Sequence, residues 1–368
     1  MNFDFSDEQQ ALKNDVNRVL RERCPLETCR AVLEGDKDYD HALWTEIAAL
    51  GWPSIALPEE YGGVGLGYLE LCVMAEELGR ALAPIPFSSS IYLFAEALIR
   101  SGNLEQREAW LPRLASGDCI GALAFAEGTG FPRSGSSRVL FKGGKLSGEK
   151  WPVADGDVAQ GAVVLACDEA GKDHLCLVQL DAPEVARESL PSIDPSRSQA
   201  RLRFDDTPAQ VLTEGDHWGT FQAVLNAAAI LFAFEQIGGA DRCLDQAVDF
   251  AKERMAFGRV IGSFQAIKHN LANMYVNNQI ARSNAYYGAW ALSTNAPEMA
   301  LAAAVARVSA TEAYEYATRE SLHVHGGMGF TWEADCHLFL RRSRSLAVNL
   351  GGIGQWKRQI TDELEQKL

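Results

Sequence analysis

The sequence predicts a mainly α protein with a small central β domain. Three observations predict it: helix-spaced apolar residues through the first third, short β-prone runs among glycine turns from about Asp118 to Gly215, and long helical stretches after that. The predicted domains are residues 1–118, N-terminal and helical; 119–215, the β domain; and 216–368, a C-terminal four-helix bundle of long antiparallel helices. Helices, then strands, then helices exclude a doubly wound nucleotide fold, and no Gly-x-Gly-x-x-Gly stands between a strand and a helix.

Ser6 and Gln9 have the spacing of a capping box, and Leu12, Val16, Val19 and Leu20 follow at helical intervals on one face. Apolar helical patterns run over His41–Leu50, Leu69–Ala81 and Ile91–Ser101. Between them, Pro58–Gly67 is turn material whose glycines cannot continue a helix cheaply. The run Gly62-Gly63-Val64-Gly65-Leu66-Gly67 has residues suited to cradling phosphate but a helical neighbourhood. In the β domain, Lys142-Gly143-Gly144-Lys145 and Leu146-Ser147-Gly148 read as turns, and Ala162–Cys167, Leu175–Leu180 and Ala200–Phe204 suit strands. Helix returns over Phe221–Phe257, Gln265–Leu292, Pro297–His325 and Ala334–Leu350.

The chain has 368 residues, 47% of them hydrophobic, enough for more than one core. Its net charge of −15 disfavours nucleic acid and anionic membrane as partners, so an anionic ligand needs a local patch of arginine, helix N-termini or backbone N–H groups. None of the eight cysteines forms a Cys-x-x-Cys pair, which points to free thiols in a reducing compartment. Met1 to Asp4 carries no basic region, and the longest apolar stretch, Ala227–Phe234, is short for a bilayer span; the expectation is a soluble, cytoplasmic protein.

Two stretches could carry chemistry. From Glu253 to Ile267, arginines end one long helix, Gly258 breaks it, and Gln265 starts the next. Arg254 could hold a pyrophosphate and Gln265 a polar nucleotide edge. Alternatively this is a helix hairpin whose arginines complement the helix dipole and whose Phe257, Ile261 and Phe264 are core. In the second stretch, Gly326, Gly327 and Gly329 follow a long helix and would let a backbone or ligand approach, with N–H groups free for phosphate; a helix cap would account for one or two of them. His323, His325 and His337 lack the acidic or thiol companion a metal site would need, so no metal is assigned.

Both stretches, in this order and separation, resemble the C-terminal signatures of acyl-CoA dehydrogenases, and the helix, β, helix order is similar over the whole chain. The resemblance implies helical bundles flanking a small β-barrel, with FAD extended across a subunit interface. It implies that Arg254 and Phe257 hold the FAD pyrophosphate, that Gln265 lies near the adenosine half, and that Gly326 and Gly327 bind a neighbouring subunit's cofactor. His323 stands where the family usually has a glutamine. Lys150-Trp151 resembles the β-domain segment that covers the flavin; apart from the resemblance, Trp151 reads as a buried strand tryptophan.

The resemblance also implies α,β-dehydrogenation, in which a carboxylate removes the α proton and hydride passes to the flavin. Leu350, before Gly351, occupies the position of the usual base, and Ala228 that of the less common one; neither can take a proton, so the catalytic residue is unknown. Asn226 and Ala229 replace substrate-contacting aspartate and arginine, and Ala126-Glu127-Gly128 stands for a Thr-Glu-Pro segment. Glu235, two helical turns beyond Ala228, is either a base raised by burial or a buried hydrogen-bonding glutamate. This pattern, with Phe330-Thr331-Trp332-Glu333 and His337–Arg342, resembles the non-base-carrying subunit of heteromeric bacterial steroid-CoA dehydrogenases. The implied partners are a bulky acyl-CoA substrate, an electron-transfer flavoprotein or similar acceptor, and a homologous subunit in a dimer or tetramer. A flavin monooxygenase on the same fold, which would need no α-proton base, and a cofactorless structural subunit are the alternatives; Arg254 and Gln265 weigh against the first, and Arg254, Phe257, Gln265, Gly326 and Gly327 together against the second.

Overall fold

The structure is a computed structural model that describes residues 6–213 and 215–366. The Met1–Asp4 segment weighed above lies outside them. In chain order, the first six helices are α1 (Asp7–Arg23), α2 (Leu26–Glu34), α3 (His41–Ala49), α4 (Tyr68–Ala81), α5 (Glu96–Ser101) and α6 (Leu104–Ala115). Strands β1 (Gly121–Ala124), β2 (Leu140–Lys142), β3 (Lys145–Ala154), β4 (Gly161–Cys167), β5 (Asp173–Gln179), β6 (Val185–Ser189), β7 (Gln199–Pro208) and β8 (Gln210–Val211) follow. Then come α7 (His217–Glu253), the two-residue strands β9 (Met255–Ala256) and β10 (Arg259–Val260), α8 (Gln265–Ser293), α9 (Met299–His325), α10 (Cys336–Leu346) and α11 (Ile353–Glu365). The helix, β, helix order is as expected.

Contacts divide the chain into two compact units. The first comprises Met1–Ala31, Tyr68–Ala83 and Ala229–Leu368. In it α8 and α9 pack along their length, α9 also carries α10 and α11, and α1 lies on α4. The capping box is formed: Ser6 Oγ accepts from Gln9 N at 3.2 Å and Gln9 Oε1 accepts from Ser6 N at 3.0 Å. α4 and the second half of α7 touch backbone to backbone, because a Cβ on Gly79 would lie 1.9 Å from Glu235 O and one on Gly238 1.8 Å from Glu76 O. Lys13 (2.6 Å) and Arg282 (2.9 Å) clamp the same crossing through buried Glu76. Burial alone would raise this carboxyl, but the two cations outweigh it and hold it below the usual range.

The second unit comprises Val32–Gly67 and Pro84–Ala228. The expected small β-barrel is one curled sheet in the order β6-β7-β3-β2-β4-β5-β8, with β1 added in parallel to β4. The fully buried central strand β4 shows the continuous apolar burial of a strand covered on both faces. Leu146-Ser147-Gly148, read above as a turn, is inside β3; the glycine marks a bulge, where the register against β7 shifts and φ reaches +129°. The Gly62–Gly67 run packs back on the chain before it: a Cβ on Gly63 would sit 1.9 Å from Leu57 O, which explains that glycine by close packing. Ile91–Ser101 begins in a π-helical stretch, Ser88–Ala95, before α5.

All eight cysteines are free and buried. Part of α7 is long and apolar enough to cross a bilayer, yet 94% of that window is buried in the protein, as in a core helix.

Candidate cofactor and substrate site

α7 ends at Glu253, four residues earlier than the helical pattern suggested. Ile261 N donates to Arg254 O at 2.8 Å, and Arg259 and Val260 pair with Ala256 and Met255, so the connection to α8 is a β-hairpin. Phe257 (φ +52°) and Gly258 (φ +78°) form its two-residue turn, both in the left-handed region that such a turn requires. The hairpin offers Phe257 to the outside at 95% exposure. The alternative in which Phe257 is core is therefore wrong: the left-handed turn carries the ring outward, leaving only an edge contact to Phe264 at 6.2 Å.

Arg259 stacks over the Phe264 ring at 4.0 Å, whereas the exposed Arg254 guanidinium has no side-chain partner among the described residues. Gln265 is the exposed first residue of α8. In the same unit, the end of α7 meets the end of α9 through Phe250 and His325, with ring centroids 4.4 Å apart. His325 also hydrogen-bonds Ser321 O at 2.7 Å, which faces it into the protein. His323 is exposed, 3.5 Å from Glu320.

The glycines after α9 separate into two kinds. A Cβ on Gly329 would press on Leu322 O at 2.7 Å, so that glycine serves internal packing. Gly326 (φ +60°) and Gly327 have nothing within 4 Å of an added Cβ. Their space is open, and among the described residues nothing accounts for a glycine at 327. His337 stacks on Trp332 at 4.5 Å, and among the described residues no three His, Cys, Asp or Glu side chains stand together as a metal site.

In the second unit Trp151 lies half-buried on β3, with Arg201 over its ring at 5.1 Å. Its neighbour Lys150 is fully buried and donates to Glu127 Oε1 at 2.6 Å and to Ser137 Oγ at 3.0 Å. Burial alone would raise Glu127, but Lys150 and the backbone N–H of Arg138 bring it down to about 2. Trp151 N also donates to Ala126 O at 2.8 Å, which ties the tryptophan to the Ala126-Glu127-Gly128 segment.

The positions that would carry a base are closed. Leu350 and Ala228 are each 0% exposed. Glu235 is buried, 3.8 Å from the equally buried Arg342, and so stands as a counter-ion. Sequence reasoning missed Arg307, which is buried and donates to Gln236 Oε1 (2.9 Å), Asn349 Oδ1 (2.6 Å) and Leu346 O. Burial lowers its guanidinium to about 9, and its hydrogen bonds fix the turn that presents Leu350. No signal in the sequence marks it, since α9 carries both Arg307 and Arg319 and only packing distinguishes the buried one.

Residues 6–118 match the family model for the acyl-CoA dehydrogenase N-terminal domain and residues 215–362 that for the C-terminal domain. Acyl-CoA dehydrogenase IpdE2 of Mycobacterium tuberculosis is 31% identical over 359 residues, covering 97% of this chain and 98% of the relative. This chain belongs to the acyl-CoA dehydrogenase family. It is an oxidoreductase, and the family is FAD-dependent. Among solved structures, a variant of the Tcur3481-Tcur3483 steroid ACAD aligns with a TM-score of 0.89 at 28% identity, covering 98% of both chains. The ChsE4-ChsE5 complex from Mycobacterium tuberculosis aligns with a TM-score of 0.89 at 27% identity, covering 99% of both.

Proposed function

We propose that this chain is the FAD-binding, base-lacking subunit of a heteromeric acyl-CoA dehydrogenase acting on a steroid-derived or similarly bulky CoA thioester. The observation that carries the reading is a contrast within one chain. Leu350 and Ala228, at the two base positions, are apolar and buried, while Arg254 and Gln265 are exposed and the space around Gly326 and Gly327 is open.

The residues present fit FAD. Arg254 supplies a free guanidinium for pyrophosphate oxygens, Gln265 an amide for the adenosine half, and Phe257 an apolar face. Gly326 and Gly327 leave their backbone approachable, with His323 at the rim, and Trp151 is assigned to cover the flavin. When bound, FAD accepts the hydride. Lys150 and Glu127 do not reach for a proton; their mutual pairing positions Trp151. The α-proton acceptor then comes from a homologous partner, which agrees with the two-name assemblies among the structural relatives.

The domains proposed for this reading are 1–118, 119–215 and 216–368, and its setting is the cytoplasm, with an electron-transfer flavoprotein or similar acceptor and a dimer or tetramer as the assembly. The exposed Arg254 and Gln265 weigh against a monooxygenase, and the open Gly326 and Gly327 against a cofactorless subunit. Native purification followed by mass spectrometry tests the reading: FAD and a homologous carboxylate-bearing chain should co-purify, and a flavin-free homo-oligomer would contradict it.

A further inference from the structure

A cavity of about 340 Å³ lies in the first unit, walled by α1, the start of α2, α4 and the middle of α7. It shares no residue with the cofactor assignment. Its lining includes three arginines from three helices, Arg21 of α1, Arg80 of α4 and Arg242 of α7, and the apolar side chains of Leu20, Pro25 and Leu26. In a chain with 49 acidic and 34 basic residues, arginines normally find carboxylates. Arg80 has one in Asp245, but Arg21 and Arg242 form no ion pair or side-chain hydrogen bond with the described residues.

The nearby acids are engaged elsewhere. Asp335 is held by Arg30 at 2.8 Å. Glu77 accepts from Asn17 at 2.5 Å, and burial raises its carboxyl, which weakens it as a counter-ion. Glu27 stands exposed at the rim. Burial first, and then the charge of Arg80, draw Arg242 below its usual range, and Asp245 offsets this only in part. A second, independent feature points the same way: Gln246 Oε1, on the cavity wall, is buried without a hydrogen-bond partner. Since amide O and N assignments interchange, the same side chain can turn its NH₂ to an anion.

We propose that this cavity binds a small organic anion, with its oxyanion head on Arg242, Arg21 and Gln246 and a short aliphatic body on Leu20, Pro25 and Leu26. The volume suits a molecule of about six carbons, at the lower end of the usual range for ligand pockets. Two cations and an amide recognise a carboxylate and a phosphate ester alike.

Isothermal titration of the purified FAD-containing protein, with hexanoate and hexyl phosphate as probes and sulfate as comparator, tests this. The expected result is saturable binding of one equivalent per chain for at least one organic probe, with Kd below about 1 mM. Arg242→Gln should weaken it by about tenfold or more, and Arg21→Gln, at an exposed position that the fold tolerates, by severalfold. Retained flavin absorbance shows that each variant is folded. The proposal is overturned if neither organic probe saturates by about 10 mM, far above the affinities typical of specific sites. It is equally overturned if both variants bind as the wild type does, or if sulfate binds as tightly as both probes, which would mean an adventitious ion only.

Discussion

Glu127→Gln removes the counter-ion of a lysine that has no access to water. Lys150 is 0% exposed and Glu127 14%, with Nζ and Oε1 2.6 Å apart. Breaking a buried pair from one side costs about 3–5 kcal/mol, because the remaining charge is left without compensation. Acid titration gives a separate measure. Glu127 falls from 4.5 to about 2 on folding, and at 1.36 kcal/mol per unit this is at most roughly 3 kcal/mol, reduced to about 2 by the partial exposure of the carboxylate. Its folded value lies below its unfolded value, so the stabilisation is fully present above pH 4.5 and is lost as pH falls towards about 2. Urea unfolding followed by tryptophan fluorescence should show the variant destabilised by about 3 kcal/mol at pH 7 and lacking this part of the acid slope. Adding Lys150→Met should restore at least half of the loss, since an apolar pair replaces the ionic one. A loss under about 1 kcal/mol, typical of an exposed pair, together with an unchanged acid slope, would refute the reasoning.

Three further outcomes are expected. Arg254→Ala should weaken FAD binding by about 1.5–3 kcal/mol, read by flavin fluorescence on dilution, because a charge-assisted contact is lost while that exposed side chain has no side-chain partner among the described residues to lose. Gly327→Ala should leave Tm unchanged but reduce FAD retention, whereas Gly329→Ala should lower Tm by several degrees, since only its Cβ meets Leu322 O, at 2.7 Å; thermal melts with flavin content separate the two. Glu235→Gln should destabilise the protein by about 1–3 kcal/mol through Arg342 and leave kcat of the mixed enzyme within about twofold; a hundredfold fall in kcat would instead make Glu235 the base.

The helices were legible where periodicity and caps agree: Ser6 with Gln9 opens α1, and the pattern from Leu69 to Ala81 is α4 almost to the residue. α6, which opens on the same capping box at Asn103 and Gln106 and carries Pro112 inside it, was not read from the sequence. The hairpin at Phe257 was not legible, since a left-handed phenylalanine is unusual and the residues around it suit a helix equally well. Gly326 and Gly327 were visible as glycines, but only their open surroundings distinguish them from Gly329. Arg307 and the cluster at Arg242 were invisible because a sequence does not say which arginines are buried or left unpaired.

The most direct measurement is turnover of CoA thioesters with an artificial electron acceptor, first by the FAD-loaded chain alone and then with the homologous subunit that co-purifies. With Leu350 and Ala228 buried at the base positions, the chain alone should run at least about a hundredfold slower than the mixed enzyme, the least that loss of a positioned base usually costs. Equal turnover by the chain alone would contradict the account.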